Sequence, residues 1–114
     1  MYEYSAKCIR VVDGDTIDCE IDLGFDVFIR ERVRFAGINA PESRTRDLEE
    51  KSRGLAAKAR VVELLGEGEK FTLKTEYDRL GKYGRVIGTI ILENGESLNN
   101  MLVLEGHAVE KDYS

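Results

Sequence analysis

Apolar and polar residues alternate cleanly from Thr16 to Leu23. Ile17, Cys19, Ile21 and Leu23 fall on one face, and Thr16, Asp18, Glu20 and Asp22 on the other. A period of two predicts a half-buried antiparallel strand over residues 16–23. Residues 5–12 read as a preceding strand, with Asp13-Gly14-Asp15 as the turn between them. Gly24 and Asp26 mark the next turn. Residues 27–35 form a third strand, with Val27, Ile29, Val33 and Phe35 on one face and Arg30, Arg32 and Arg34 on the other. After a polar loop, Ser43 to Asp47, the period changes to that of a helix. It starts at about Leu48 or Ser52 and runs to Leu65, with Leu55, Ala59, Val62 and Leu65 on its apolar stripe and Gly66 as its stop.

Residues 70–77 predict a fourth strand, with Phe71, Leu73, Thr75 and Tyr77 on one face. Residues 78–84 are a Gly-punctuated loop, and residues 85–92 a fifth strand rich in β-branched side chains. Asn94-Gly95 is a turn. Ser97 is placed to cap a short helix from Leu98 to Glu105, closed by Gly106, and residues 107–110 add a last short strand. Three strands, a helix, two strands and a short helix describe a β-barrel with helices (α+β). The order matches the five-stranded oligonucleotide-binding (OB) type of Greek-key barrel. With 114 residues and no repeat or linker, a single domain over 1–114 is expected.

Charge narrows the functional classes. A net charge of −5 argues against a broad basic face that coats nucleic acid, but not against a local cationic pocket. No apolar run approaches the ~20 residues of a membrane helix. Met1-Tyr2-Glu3-Tyr4 leads directly into strand-like sequence, so no secretory leader is read and a cytoplasmic location is expected. Cys8 and Cys19 lack metal-site spacing and are read as reduced, small apolar residues. In the simple alternating register Cys8 lies on the opposite face from Ile9 and Val11, so the two cysteines are not expected to meet. His107 has no apparent partner and is read as a surface or strand residue.

The stretch Arg34-Phe-Ala-Gly-Ile-Asn-Ala-Pro-Glu42 carries an arginine out of a strand, through a Gly-containing turn, to a carboxylate just past the chain's one proline. A fixed cation and a potential base at one turn suit attack on an anionic ester. Asp13 and Asp15 flank Gly14 and offer hard oxygen ligands for Ca²⁺ or Mg²⁺, although Asp-Gly is also an ordinary turn pair. Arg34 could equally belong to a solvated strand face, and Arg85 could simply open a strand.

Four blocks occur together: Val12-Asp13-Gly14-Asp15-Thr16-Ile17, Arg34 through Pro41-Glu42, Asp78 through Lys82-Tyr83-Gly84-Arg85, and Asn99 through Leu102 to Gly106. In order and spacing they resemble the staphylococcal nuclease (thermonuclease) family, over about residues 5 to 110. The resemblance implies an OB-type barrel and Ca²⁺-dependent hydrolysis of phosphodiester bonds in DNA or RNA, with one Ca²⁺ rather than Mg²⁺. It implies Asp15, Asn39 and the Ala40 carbonyl as metal ligands, Glu42 as general base, and Arg34 and Arg85 as the phosphate-gripping pair. It also implies Lys82 and Tyr83 near the terminal phosphate of a bound nucleotide. Nucleic acid is then the partner, with a monomer as the default state. The alternative is a non-catalytic nucleic-acid- or protein-binding module on the same barrel.

Three features depart from the family pattern. Asn39 stands where the founding member has a second metal-binding aspartate. That member's further C-terminal helix has no counterpart before Ser114, and Tyr113 is one position out of register with its base-stacking tyrosines. An amide oxygen still ligates Ca²⁺ but removes one negative charge. Asn39→Asp is therefore expected to tighten Ca²⁺ binding in a calorimetric titration, and an unchanged affinity would argue against Asn39 as a ligand.

Overall fold

The computed structural model describes residues 2–75 and 86–111. In chain order its elements are β1 (Tyr2–Asp13), β2 (Thr16–Asp22), β3 (Phe28–Phe35), β4 (Ile38–Asn39), α1 (Leu48–Leu64), β5 (Lys70–Thr75), β6 (Val86–Ile91), α2 (Leu98–Leu104) and β7 (Val109–Glu110). Five strands close a barrel in the order β1-β2-β3-β6-β5, and β4 pairs with β7 in a separate two-stranded sheet. All barrel pairings are antiparallel except β3 with β6. This is the expected mixed barrel with two helices. The small β4–β7 sheet was only half anticipated, because β4 is too short to show a period. Among the described residues no helix is long and apolar enough to cross a membrane.

β1 is longer than its apolar pattern suggests because it serves two neighbours. Tyr2–Lys7 pair with β5, and Ala6–Asp13 pair with β2. Its register with β2 shifts between Cys8 and Arg10, as at a β-bulge. That irregularity changes which residues face inward. Ala6, Cys8 and Val11 are all buried, although Cys8 and Val11 differ in parity. The expected separation of the cysteines is therefore corrected: Cys8 and Cys19 are direct Cα partners, and both lie in the core as free thiols.

The β2–β3 turn also departs from simple alternation. Gly24, Phe25 and Asp26 all take positive φ, at 87°, 55° and 61°. Left-handed backbone is unusual for Phe, and here it carries Phe25 fully into solvent. Leu23 and Val27, expected to face inward, are instead exposed at this tip. Two residues of alternation cannot bury a side chain where the hairpin has run past the body of the barrel.

Asp47 caps α1, its Oδ1 accepting from the Glu49 and Glu50 amides, which fixes the start at Leu48. The buried face is Gly54, Ala57 and Val61, followed by Leu65 at the C-cap, which is also buried. Leu55 and Val62 are about half exposed, at 48% and 49%, and Ala59 is exposed. The expected stripe is thus corrected by about one residue of rotation. Steric room decides it. A Cβ on Gly54 would overlap the Glu42 carbonyl, and a Cβ on Gly14 would come within 2.6 Å of the Ala57 Cβ. At Gly54 and Ala57 the helix lies too close to the barrel and the Glu42 peptide for larger side chains, while Val61 and Leu65, further along the same line, are buried in the core.

Phe35, Ile17, Leu73, Ile90, Leu98 and Leu102 are among the largest fully buried side chains. Asn99 is buried beside them. Its Oδ1 accepts from the Ile90 amide, and its Nδ2 donates to the Ala36 and Gly88 carbonyls at 2.9 and 3.3 Å. This one amide ties α2 to β6 and to the turn after β3, satisfying backbone groups that would otherwise be costly to bury.

Burial pushes the core thiols up, Cys8 to about 11 and Cys19 to about 12. Both exceed the ordinary thiol value of 9.0. Their contribution to stability is therefore fully present below pH 9.0 and is lost as pH rises through those raised values. Neither thiol is ionised near neutrality, so both are expected to resist alkylation in the folded protein and to react readily once it is denatured. A mass-spectrometric time course checks this, and fast labelling of native protein would contradict the buried placement.

Candidate active site

The candidate site forms where three pieces of chain meet at one end of the barrel. The two-residue turn between β1 and β2 brings Asp13 and Thr16 into register and carries Asp15 at its tip. The end of β3 carries Arg34. β4 and the residues after it carry Asn39, Ala40, Pro41 and Glu42. Together they line a pocket of about 140 Å³. Gly14 does not take a positive φ; it supplies room, letting the turn sit against Ala57 and Ala40.

Arg34 is buried, unlike Arg30 and Arg32 of the same strand face. A solvated strand-face role is thereby excluded. Arg32 instead makes a two-pronged ion pair with Asp18 on the open face, which holds the Asp18 carboxyl below its usual range. Arg34 Nη1 donates to the Phe35 carbonyl at 3.1 Å and to the Asp15 carbonyl at 3.5 Å. Its Nη2 donates to Asn39 Oδ1 at 3.0 Å and lies 3.3 Å from Asp15 Oδ2. The planar guanidinium thus spans the turn, the strand end and β4.

Asp15 is held from every side. Its Oδ1 accepts from the Thr16 hydroxyl at 2.9 Å, and its Oδ2 accepts from the Ala40 amide at 2.9 Å. The side chains of Asp15 and Arg34 are only 11% and 10% exposed. A buried pair of this kind is costly to desolvate, and losing either partner strands the other charge, at about 3–5 kcal/mol.

Asn39 is positioned by the small sheet: it pairs with Val109, Ile38 pairs with Glu110, and the Lys111 amide donates to the Gly37 carbonyl at 2.8 Å. Glu42 is exposed on the pocket rim, and its amide donates to Glu50 Oε2 at 3.2 Å. The next residue, Ser43, is buried. Its hydroxyl and its amide both donate to Asp13 Oδ1.

The structure therefore brings Asp15, Arg34, Asn39, Ala40 and Glu42 to one pocket. Lys82, Tyr83 and Arg85 lie outside the described residues. Val86, the first residue of β6, pairs with Val33, the neighbour of Arg34. Sequence reasoning gave Ser43 and Gly54 no role at the site. Ser43 looks like ordinary loop polarity, and Gly54 carried only its poor helix propensity, a sign that a close contact had overruled it.

The side chains lining the pocket that could ligate a cation offer oxygen: the carboxylates of Asp13, Asp15 and Glu42 and the Asn39 amide oxygen. Hard oxygen donors of this kind fit a hard cation such as Ca²⁺. Among the described residues no group of three or more His, Cys, Asp or Glu side chains converges as a metal site.

Comparison with known proteins places the chain in a family. The family described as Staphylococcal nuclease homologue matches residues 32–114. The chain is 34% identical over 111 residues to endonuclease YhcR of Bacillus subtilis (strain 168), covering 93% of this chain and 9% of that protein. It is 28% identical over 104 residues to the succinoglycan biosynthesis protein ExoI of Rhizobium meliloti (strain 1021), covering 90% of this chain and 50% of that protein. It thus spans at most half the length of these relatives. With barrel, pocket and sequence match in agreement, the chain belongs to the staphylococcal nuclease homologue family.

Proposed function

We propose that this chain is a Ca²⁺-dependent nuclease that hydrolyses phosphodiester bonds in DNA or RNA. The observation that carries this reading is the convergence of Asp15, Arg34, Asn39, Ala40 and Glu42 on one pocket. The similarity to a protein named as an endonuclease supports it.

A phosphodiester gains negative charge on its equatorial oxygens as water attacks. Arg34 sets a positive charge that never deprotonates beside those oxygens. Its contacts to Asp15 and Asn39 hold the guanidinium in place beforehand, so little reorganisation is needed when charge develops. Glu42, exposed on the rim, orients the attacking water and accepts its proton. No side chain becomes covalently attached to substrate. Asp15, Asn39 and the Ala40 carbonyl are the residues that would hold Ca²⁺, which supplies a Lewis acid for the phosphate oxygens when bound. In this proposal Arg85 completes the grip on the phosphate, and Lys82 and Tyr83 contact a terminal phosphate.

The test is incubation with single-stranded DNA and with RNA, with Ca²⁺ and with a chelator. Cleavage that requires Ca²⁺ is expected. Glu42→Gln should lower kcat by roughly 10²–10⁴, and Arg34→Ala by at least about 10². Binding without cleavage under every condition would replace the enzyme with a binding module.

A further inference from the structure

The pocket contains a third carboxylate, beside Asp15 and Glu42, that the proposed reaction does not use. Asp13 is partly buried on the pocket wall. Its Oδ1 accepts from both the hydroxyl and the amide of Ser43. Ser43 is buried, although it lies in a polar loop 30 residues away along the chain. It directly follows Glu42. Gly54 of α1 also abuts this peptide, so close that a Cβ there would overlap the Glu42 carbonyl and approach the Ser43 nitrogen to 2.7 Å.

We infer that Asp13, Ser43 and Gly54 form a clamp on the Glu42–Ser43 peptide, with Asp13 as a positioning residue for the general base. This rests on the proposed role of Glu42. The physical need is clear: the Glu42 side chain is exposed, although its amide donates to Glu50 Oε2. A general base must hold its reach to the water within a fraction of an ångström. An exposed side chain meets that demand only if its backbone is fixed. Asp13 holds the peptide by hydrogen bonds from the end of β1, and the helix packs against it at Gly54. Gly54 is a poor residue for a helix interior, and the close seat explains why it is there. Asp13 is also tied to Asp15 through one tight turn, so the clamp sets the distance between the base and the buried Arg34 pair.

The clamp and a direct metal role for Asp13 make opposite predictions. Under the clamp, Asp13→Ala and Ser43→Ala each lower kcat about tenfold, with KM for an oligonucleotide and the Ca²⁺ concentration for half-maximal rate within about twofold of wild type. The double variant should fall about tenfold, not a hundredfold, because both changes break one contact. Asp13→Asn keeps the acceptor oxygen and should lose less than Asp13→Ala. Ser43→Thr keeps the hydroxyl and should recover most of what Ser43→Ala loses. A shifted Ca²⁺ requirement, additive losses, or an Asp13→Asn variant as impaired as Asp13→Ala would overturn the clamp.

Amide hydrogen exchange reads the clamp without any activity. Exchange across residues 42–44 should quicken about tenfold in Asp13→Ala and in Ser43→Ala, and unchanged protection would sink the idea. Should Asp13→Ala fail to fold, Ser43→Ala carries the same exchange measurement. Inactive wild-type protein with the expected exchange would retire the nuclease reading and leave the peptide clamp standing, whereas active protein with unchanged exchange would do the reverse.

Discussion

The buried ion pair between Asp15 and Arg34 is the interaction on which the site depends. It joins a turn tip to a strand end 19 residues later, and through Ala40 and Asn39 it reaches the chain beyond β4. Two charges taken out of water stabilise a fold only weakly, and well-packed apolar residues often do as well. Its value here is placement. Arg34 meets its acceptors at one geometry, and that geometry fixes the pocket's floor. The neighbouring strand residues Arg30 and Arg32 show the contrast, because they pair on the open face where water competes.

Around that floor the barrel and helix impose a second constraint, close approach. α1 sits against the β1–β2 turn and the Glu42–Ser43 peptide through glycine and alanine. Leu48, Leu55 and Val62 face outward, whereas Val61, beyond the close contact, is buried. A helix docked by larger side chains would stand further off, and Glu42 would lose its backing. Asn99 works the same way at longer range: it ties α2 to the Ala36 carbonyl, two residues past Arg34.

Much of this was legible in the chain. Alternation in Thr16–Asp22, the Asp-Gly turn, the Ser97 cap and the Gly106 stop are local signals, and each describes what formed. The site residues were legible as separate fragments with family-like spacing. What local patterns could not carry was the offset at the β1 bulge, which placed Cys8 opposite Cys19. Nor could they carry the rotation of α1, where the stripe of larger residues suggested the wrong face. Apolar periodicity reports which side chains prefer burial. It does not report how near two backbones come, and near contact excludes the very residues that periodicity counts.

The sequence by itself therefore determined the element types, the barrel class and the chemical inventory: two carboxylates at a turn, a cation on a strand, and a carboxylate after a proline. Those follow from local propensity and residue chemistry. Only the tertiary structure decided that Arg34 is buried while Arg32 is not, that Asp13 grips Ser43, and that α1 packs through Gly54. Each joins residues far apart in the chain, and its energy depends on burial and clearance, which exist only once the barrel has closed.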